Sequence, residues 1–168
     1  MNDSSPAPVL TLTQKLDALF KPWDRNDAPG LAVGIAHKGE VIYRRGFGLA
    51  SIEHAVANSP AMRMRIASTS KHFTCFGVML LVEDGKLDVN QPVGAYLPEL
   101  GDVAGRPTLL QLMHHTGGLY DMAVLGFFES GGQFTHMPEG ATLQALPRLK
   151  DCSFEPGTRF AYSNTGYT

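Results

Sequence analysis

Leu12, Leu16, Leu19 and Phe20 recur at helical spacing, and Gln14, Lys15 and Asp17 form the polar face beside them. This predicts an amphipathic helix that stops before Pro22. After the turn-forming Asn26-Asp27-Ala28-Pro29-Gly30, an apolar run from Leu31 to His37 is broken at Lys38-Gly39-Glu40 and resumes from Val41 to Gly48. Two such runs around a short polar break predict a β-hairpin. The first strand is apolar on both faces, which predicts packed layers on either side of its sheet. A hairpin makes no stable sheet by itself, and little else in the chain reads as a long strand. The strongest helical signal follows. Ile66-Ala67-Ser68-Thr69-Ser70-Lys71-His72-Phe73-Thr74 is rich in hydroxyls and runs into an almost wholly apolar stretch from Cys75 to Val82. The pattern predicts a helix from near Ser68 whose first turn faces a cavity and whose body is buried on all sides. Gly85, after Asp84, supplies its left-handed cap.

The remaining segments are shorter. Residues 86–93 read as a turn leading to a short segment at Val93 to Leu97. Thr108-Leu109-Leu110-Gln111 after Pro107 is a capping box, predicting a helix that ends at Thr116-Gly117-Gly118. Residues 121–140 are glycine-rich with mixed signals, and mostly loop is expected. Thr142 is a candidate cap for a helix through Leu149, weakened by Pro147. Glu155-Pro156-Gly157-Thr158 is a turn before Tyr162-Ser163-Asn164. With a Ser- and Pro-rich tail at residues 1–9, the organisation expected is a helix and hairpin over 10–66 and a mainly helical part over 67–168. No internal repeat is visible.

Composition narrows the function classes. The 168 residues are 43% hydrophobic and 18% charged, as in soluble globular proteins. A net charge of −2 without a basic cluster argues against nucleic acid as a partner. The longest apolar run falls well short of the ~20 residues of a membrane helix. The first residues show neither a basic region nor an apolar stretch, so the cytoplasm is the expected compartment, with the periplasm as the alternative. Two cysteines, Cys75 and Cys152, suggest no disulfide framework, and Cys75 reads as a buried small hydrophobe.

Candidate chemistry begins at Ser68 and Lys71. Three residues apart, they share one helix face, one turn from each other. A hydroxyl and an amine at a buried helix start are a candidate nucleophile and base. Burial and the helix dipole would both favour the neutral amine, and the free N–H of Ser68 would stabilise an oxyanion. The plainer alternative makes Ser68 an N-cap and Lys71 a solvated residue. Tyr162 is a candidate proton shuttle, and the Asn164 amide a candidate holder of Lys71 or of a substrate carbonyl. Alternatively, the segment is a surface turn. His115 reads as a residue at a helix C-terminus, favoured there by the dipole. His72 and Tyr120 are candidates for lining a pocket or for packing. Ligand spacing for a metal is absent, and no cofactor is expected.

With these stretches in order, the chain resembles the penicillin-recognising serine hydrolases of the class C β-lactamase type. That family includes serine β-lactamases, D-alanyl-D-alanine carboxypeptidases, D-aminopeptidases and related esterases. The resemblance runs from about Pro29. It rests on residues 66–74, on Glu83-Asp84-Gly85-Lys86-Leu87 through Pro92-Val93, and on Tyr96-Leu97-Pro98. His115-Thr116-Gly117-Gly118-Leu119 and residues 156–167 complete it. It implies an α/β (α+β) serine β-lactamase-like fold: an antiparallel sheet flanked by helices, an all-helical region, and a site between them. It also implies Ser68 as acylated nucleophile, Lys71 as partner base, Tyr162 exchanging protons with nucleophile and leaving group, and Asn164 binding substrate and positioning Lys71. Residues 68–75 look most like the D-aminopeptidase version of the motif.

The family's third motif, Lys- or His-x-Gly on an edge strand downstream of Tyr-x-Asn, has no counterpart here. The expectation is therefore an N-terminal portion of a larger enzyme, with the sheet incomplete in this chain. Such a piece alone would be poorly stable, weakly active or inactive, and prone to self-association through an exposed sheet edge. A small-molecule or peptide-like substrate is expected. The competing expectation is a non-catalytic sensor or ligand-binding member of the same fold.

Overall fold

Thr11 starts the first helix by the reciprocal exchange that a capping box requires. Its hydroxyl accepts from Gln14 N at 3.2 Å, and Gln14 Oε1 accepts from Thr11 N at 2.9 Å. The computed structural model describes residues 10–129, 131 and 140–168. The chain divides into two units, Met1–Arg65 and Ile66–Thr168.

In the first unit, α1 (Leu12–Phe20) ends in a single 3-10 turn containing Pro22. β1 (Leu31–His37) pairs antiparallel with β2 (Glu40–Phe47), Leu31 opposite Phe47 and His37 opposite Glu40. The connection places both Lys38 and Gly39 at positive φ, the geometry whose twist matches the strands it joins. Phe47 is 1% exposed, and its ring lies 5.5 Å from that of Phe20 on α1. On the same face the Tyr43 phenol donates to Asp17 at 2.7 Å, and Arg45 pairs with Asp17 at 2.9 Å. Among the described residues of the first unit, this is the face α1 covers. Leu31, Val33 and Ile35 are half-buried, whereas Ala32, Gly34 and Ala36 are exposed. Within the first unit, α1 is the layer over one side of β1. β3 (Leu49–Ser51) and β4 (Val56–Ala57) add a small second antiparallel pair that the sequence did not announce. Its strands are too short to carry an alternating pattern.

The second unit starts with a 3-10 turn, Ala67–Thr69, that runs directly into α2 (Ser70–Glu83). The helix stops at Asp84 with Gly85 at φ +70°. Its body is not buried on all sides. No residue of α2 is buried, and Phe73 and Phe76 are 68% and 66% exposed. The core of this unit lies elsewhere, in Val93, Leu100, Ala104, Leu119 and Leu146, flanked by Leu109, Leu112 and Leu149. Thr74 and Val78 face the apolar cavity beside that core. Within the second unit, the described residues place no layer over the opposite face of α2.

After the short α3 (Gly101–Ala104), the capping box at Thr108 and Gln111 starts α4 (Leu109–Met113). This helix ends before the expected glycines, because His115 adopts φ +58° and turns the chain. The segment from residue 121, expected to be mostly loop, begins with a helix. α5 (Met122–Glu129) forms there, its start satisfied by Asp121, whose Oδ1 accepts from Ala123 N at 3.0 Å. Residues 130 and 132–139 of that expected loop lie outside the described residues. α6 (Ala141–Ala145) gives way to a 3-10 turn at Leu146–Arg148, where Pro147 cannot continue the α-helical ladder. Gly140, not Thr142, precedes its first residue. Among the described residues no helix is long and apolar enough to cross a membrane.

Candidate active site

Ser68 sits in the tight turn ahead of α2, just after Ala67, whose φ of +45° is unusual for a residue with a Cβ. The kink leaves Ser68 outside the regular helix, whose N-cap is Thr69 and carries no side-chain cap bond. One turn later, Lys71 Nζ donates to Ser68 Oγ at 3.2 Å. The second contact to Ser68 comes from far along the chain. Tyr162 Oη lies 2.5 Å from Ser68 Oγ, close enough for either oxygen to donate. Lys71 Nζ also donates to Asn164 Oδ1 at 2.8 Å, and the Tyr162 hydroxyl to the same oxygen at 3.3 Å. The ammonium stands 4.9 Å from the centre of the Tyr162 ring and 5.4 Å from that of Tyr167. Ser68, Lys71, Tyr162 and Asn164 are thus brought together within the second unit. Ser68 and Tyr162 are exposed, and Lys71 and Asn164 half-buried. The buried helix start that the sequence suggested is an open one here, since α2 is itself uncovered.

The site's electrostatics follow from its one cation. The Lys71 ammonium, then the Ser68 hydroxyl, lower the Tyr162 phenol below its ordinary value of 10.0, against burial and the charge of Asp121. His115 is lowered below 6.5, first by burial and then by Lys71, while Asp121 acts the other way. His115 directly follows His114, the C-cap of α4, so it stands at the helix C-terminus expected, with burial outweighing any help from the dipole. Its Nδ1 accepts from Ser163 N at 3.2 Å, which only the unprotonated nitrogen can do. Tyr167 is raised, mainly by burial and then by its contact with Cys75. Its hydroxyl donates to Met113 O at 2.6 Å. Cys75 is half-buried, with Sγ 3.2 Å from that hydroxyl, and so is not the buried hydrophobe expected.

A serine hydroxyl within bonding distance of a phenol whose ionised form a neighbouring ammonium favours has an acceptor for its proton, the arrangement that activates an otherwise weak nucleophile. Among the described residues no group of three or more His, Cys, Asp or Glu is placed to hold a metal ion.

The Beta-lactamase family model matches residues 15–168. The chain belongs to the Beta-lactamase family. It is 28% identical over 167 residues to a D-aminopeptidase of Gluconobacter oxydans, covering 99% of this chain and 30% of that protein. To a D-aminopeptidase of Brucella ovis it is 34% identical over 142 residues, covering 83% of this chain and 26% of that one. Among solved structures, the octameric penicillin-binding protein homologue from Pyrococcus abyssi superposes with a TM-score of 0.74 at 28% identity, over 94% of this chain and 37% of that one. The D-amino acid amidase from Ochrobactrum anthropi SV3, crystallised with L-phenylalanine, gives 0.67 at 25% identity, over 90% and 42%. The fold is β-lactamase-like, and the chain spans less than a third of the length of the two curated relatives named.

Three residues of this Beta-lactamase-family site escaped the sequence reading or were misread there. Asp121 accepts from both Asn164 N (2.8 Å) and Asn164 Nδ2 (2.9 Å) through Oδ2. The available signal was an Asp directly before an apolar run, an N-cap pattern. His115 stacks under Tyr162, and Tyr167 closes the side next to α2. Neither role has a local signature. His72 is exposed, and the Tyr120 hydroxyl is directed to Asp151 at 3.3 Å.

Proposed function

We propose that this chain carries the nucleophile and proton-transfer groups of a serine hydrolase that works through an acyl-enzyme. The observation that supports it is the bonding of one hydroxyl, Ser68 Oγ, to both Tyr162 Oη at 2.5 Å and Lys71 Nζ at 3.2 Å. In this reading Ser68 Oγ attacks a carbonyl carbon and its proton passes to the Lys71–Tyr162 pair. Tyr162 then protonates the leaving nitrogen or oxygen as the bond to carbon breaks. Water attacks the resulting ester by the reverse proton path and restores the Ser68 hydroxyl. The backbone N–H of Ser68 is the oxyanion donor the chain itself supplies. Asn164 holds Lys71 on the Ser68 side.

The acyl donor we propose is the amide of a D-amino acid or a peptide with a D-amino terminus, in keeping with the D-aminopeptidases it resembles. Esters and β-lactams share the reacting carbonyl and are chemically equivalent probes. Treatment of the full chain as encoded with a fluorophosphonate should label Ser68, and Ser68→Ala should abolish the label. Saturable ligand binding with no covalent adduct would instead identify a non-catalytic binding protein.

A further inference from the structure

The side-chain amide of Asn164 is planar, and its two ends have nearly the same shape. Sterics therefore do not decide which end faces Lys71. The partners do. Asn164 Oδ1 accepts from Lys71 Nζ at 2.8 Å, and Nδ2 donates to Asp121 Oδ2 at 2.9 Å. A carboxylate can only accept and an ammonium can only donate. Turning the amide over would aim Oδ1 at the Asp121 carboxylate and the NH₂ group at the Lys71 ammonium, so both contacts would become repulsive at once. The same Asp121 oxygen also accepts from the Asn164 backbone N–H at 2.8 Å, which fixes the root of the side chain as well as its tip. The other oxygen, Oδ1, is held by the Ala123 and Val124 N–H groups at 3.0 and 3.4 Å at the start of α5. A role confined to capping α5 explains Oδ1 and leaves the two bonds to Oδ2 unexplained.

We propose that Asp121 is a positioning residue that sets the polarity of the Asn164 amide, so that an oxygen rather than an N–H is presented to Lys71. It touches no reacting atom: it acts on Lys71 through Asn164, beside the influence of its charge on Tyr162 and His115. The orientation of the amide stands on the contacts above, while its consequence for rate rests on the hydrolase reading.

Asp121→Ser separates the two duties of the carboxylate. Serine is as good an N-cap as aspartate, so α5 keeps its start, but its hydroxyl is too short to reach Asn164. In the full chain as encoded, Asp121→Ser should fold like the wild type. Its Ser68 should label with a fluorophosphonate about 10²-fold more slowly, the scale of a misplaced catalytic group. The Asn164 side-chain NH₂ resonances, assigned through Asn164→Ala, should lose the shift and exchange protection given by the carboxylate. Wild-type labelling by Asp121→Ser, with Ser68→Ala unlabelled, overturns the positioning role and leaves the hydrolase reading intact. If the wild type itself does not label, that reading fails. The resonances then decide, and unchanged Asn164 NH₂ signals in Asp121→Ser overturn the inference. Should Asp121→Ser fail to fold, the isosteric Asp121→Asn serves. It keeps one acceptor for two sets of donors, and unaltered labelling and resonances in it are equally fatal.

Discussion

The imidazole of His115 lies against the ring of Tyr162, centroids 4.4 Å apart and planes inclined by 30°. Its Nδ1 is occupied in accepting the Ser163 N–H. Burial first, and then the charge of Lys71, oppose protonation of the ring, with the charge of Asp121 acting the other way. The folded state therefore binds this proton less readily than the unfolded chain does. The stability contributed by His115 is complete above the ordinary value of 6.5 and is lost as pH falls through the lowered folded value. An NMR titration should place the His115 midpoint below 6.5, and thermal stability should decline with pH in that same window. A midpoint at or above 6.5 would show that the ring is not held neutral.

Tyr162 should titrate at a lower pH than an isolated phenol. Lys71 and Ser68 favour its ionised form, so its midpoint lies below 10.0 in the folded protein. Its linked stability is fully present above 10.0 and is lost as pH falls through the lowered value. Tyr162→Phe keeps the stacked ring and removes only the oxygen. We expect acylation of Ser68 to fall by roughly 10²–10⁴, the range for loss of a general acid–base group. The lowest-pH tyrosinate absorbance step should vanish with it. Retention of that step in Tyr162→Phe would assign it to another tyrosine.

How much of this could be read from the chain depended on whether a feature was local. The caps at Thr11 and Thr108 involve residues three apart, and the hairpin around Lys38-Gly39 is a continuous pattern, so each is visible in a few letters. The pairing of Ser68 with Lys71 is likewise a matter of helical spacing. The bonds from Tyr162 and Asn164 are different: they span more than ninety residues, and the likeness to known motifs, rather than periodicity, suggested them. α5 was missed because Met122-Ala123-Val124-Leu125-Gly126-Phe127-Phe128 is apolar all round and has no polar face to set a period. The exposure of α2 was missed for the converse reason. Apolar content says that a face prefers to be covered, not that the residues at hand cover it.

Gly118 tests how tightly the Tyr162 segment is held. Its φ is +73°, and a Cβ there would press on the Phe154 carbonyl oxygen. The Gly118 carbonyl in turn accepts from Ser153 N and Ser153 Oγ, both at 2.9 Å. Gly118→Ala combines left-handed strain with a backbone collision, and neither neighbour can yield without breaking these bonds. The expected loss is more than about 1 kcal/mol of stability, the usual cost of alanine at positive φ. Denaturant unfolding of the variant would measure it, and a loss within error of zero would mean that the turn relaxes freely.

Phe73, Phe76 and Leu80 follow one another at intervals of three and four along α2, so they form a single stripe. All are exposed, at 68%, 66% and 47%. Each such side chain gains roughly 1.5–3 kcal/mol when covered, and an uncovered stripe of this kind seeks a partner surface. A polypeptide of these 168 residues alone should therefore take up an apolar dye and associate as its concentration rises. Phe76→Glu should reduce both without loss of helical circular dichroism, because Phe76 packs on nothing in the core cluster. Equilibrium sedimentation and dye fluorescence on the two polypeptides decide it. A dilute monomer with a sharp thermal transition and no dye uptake would mean that the stripe is covered in solution.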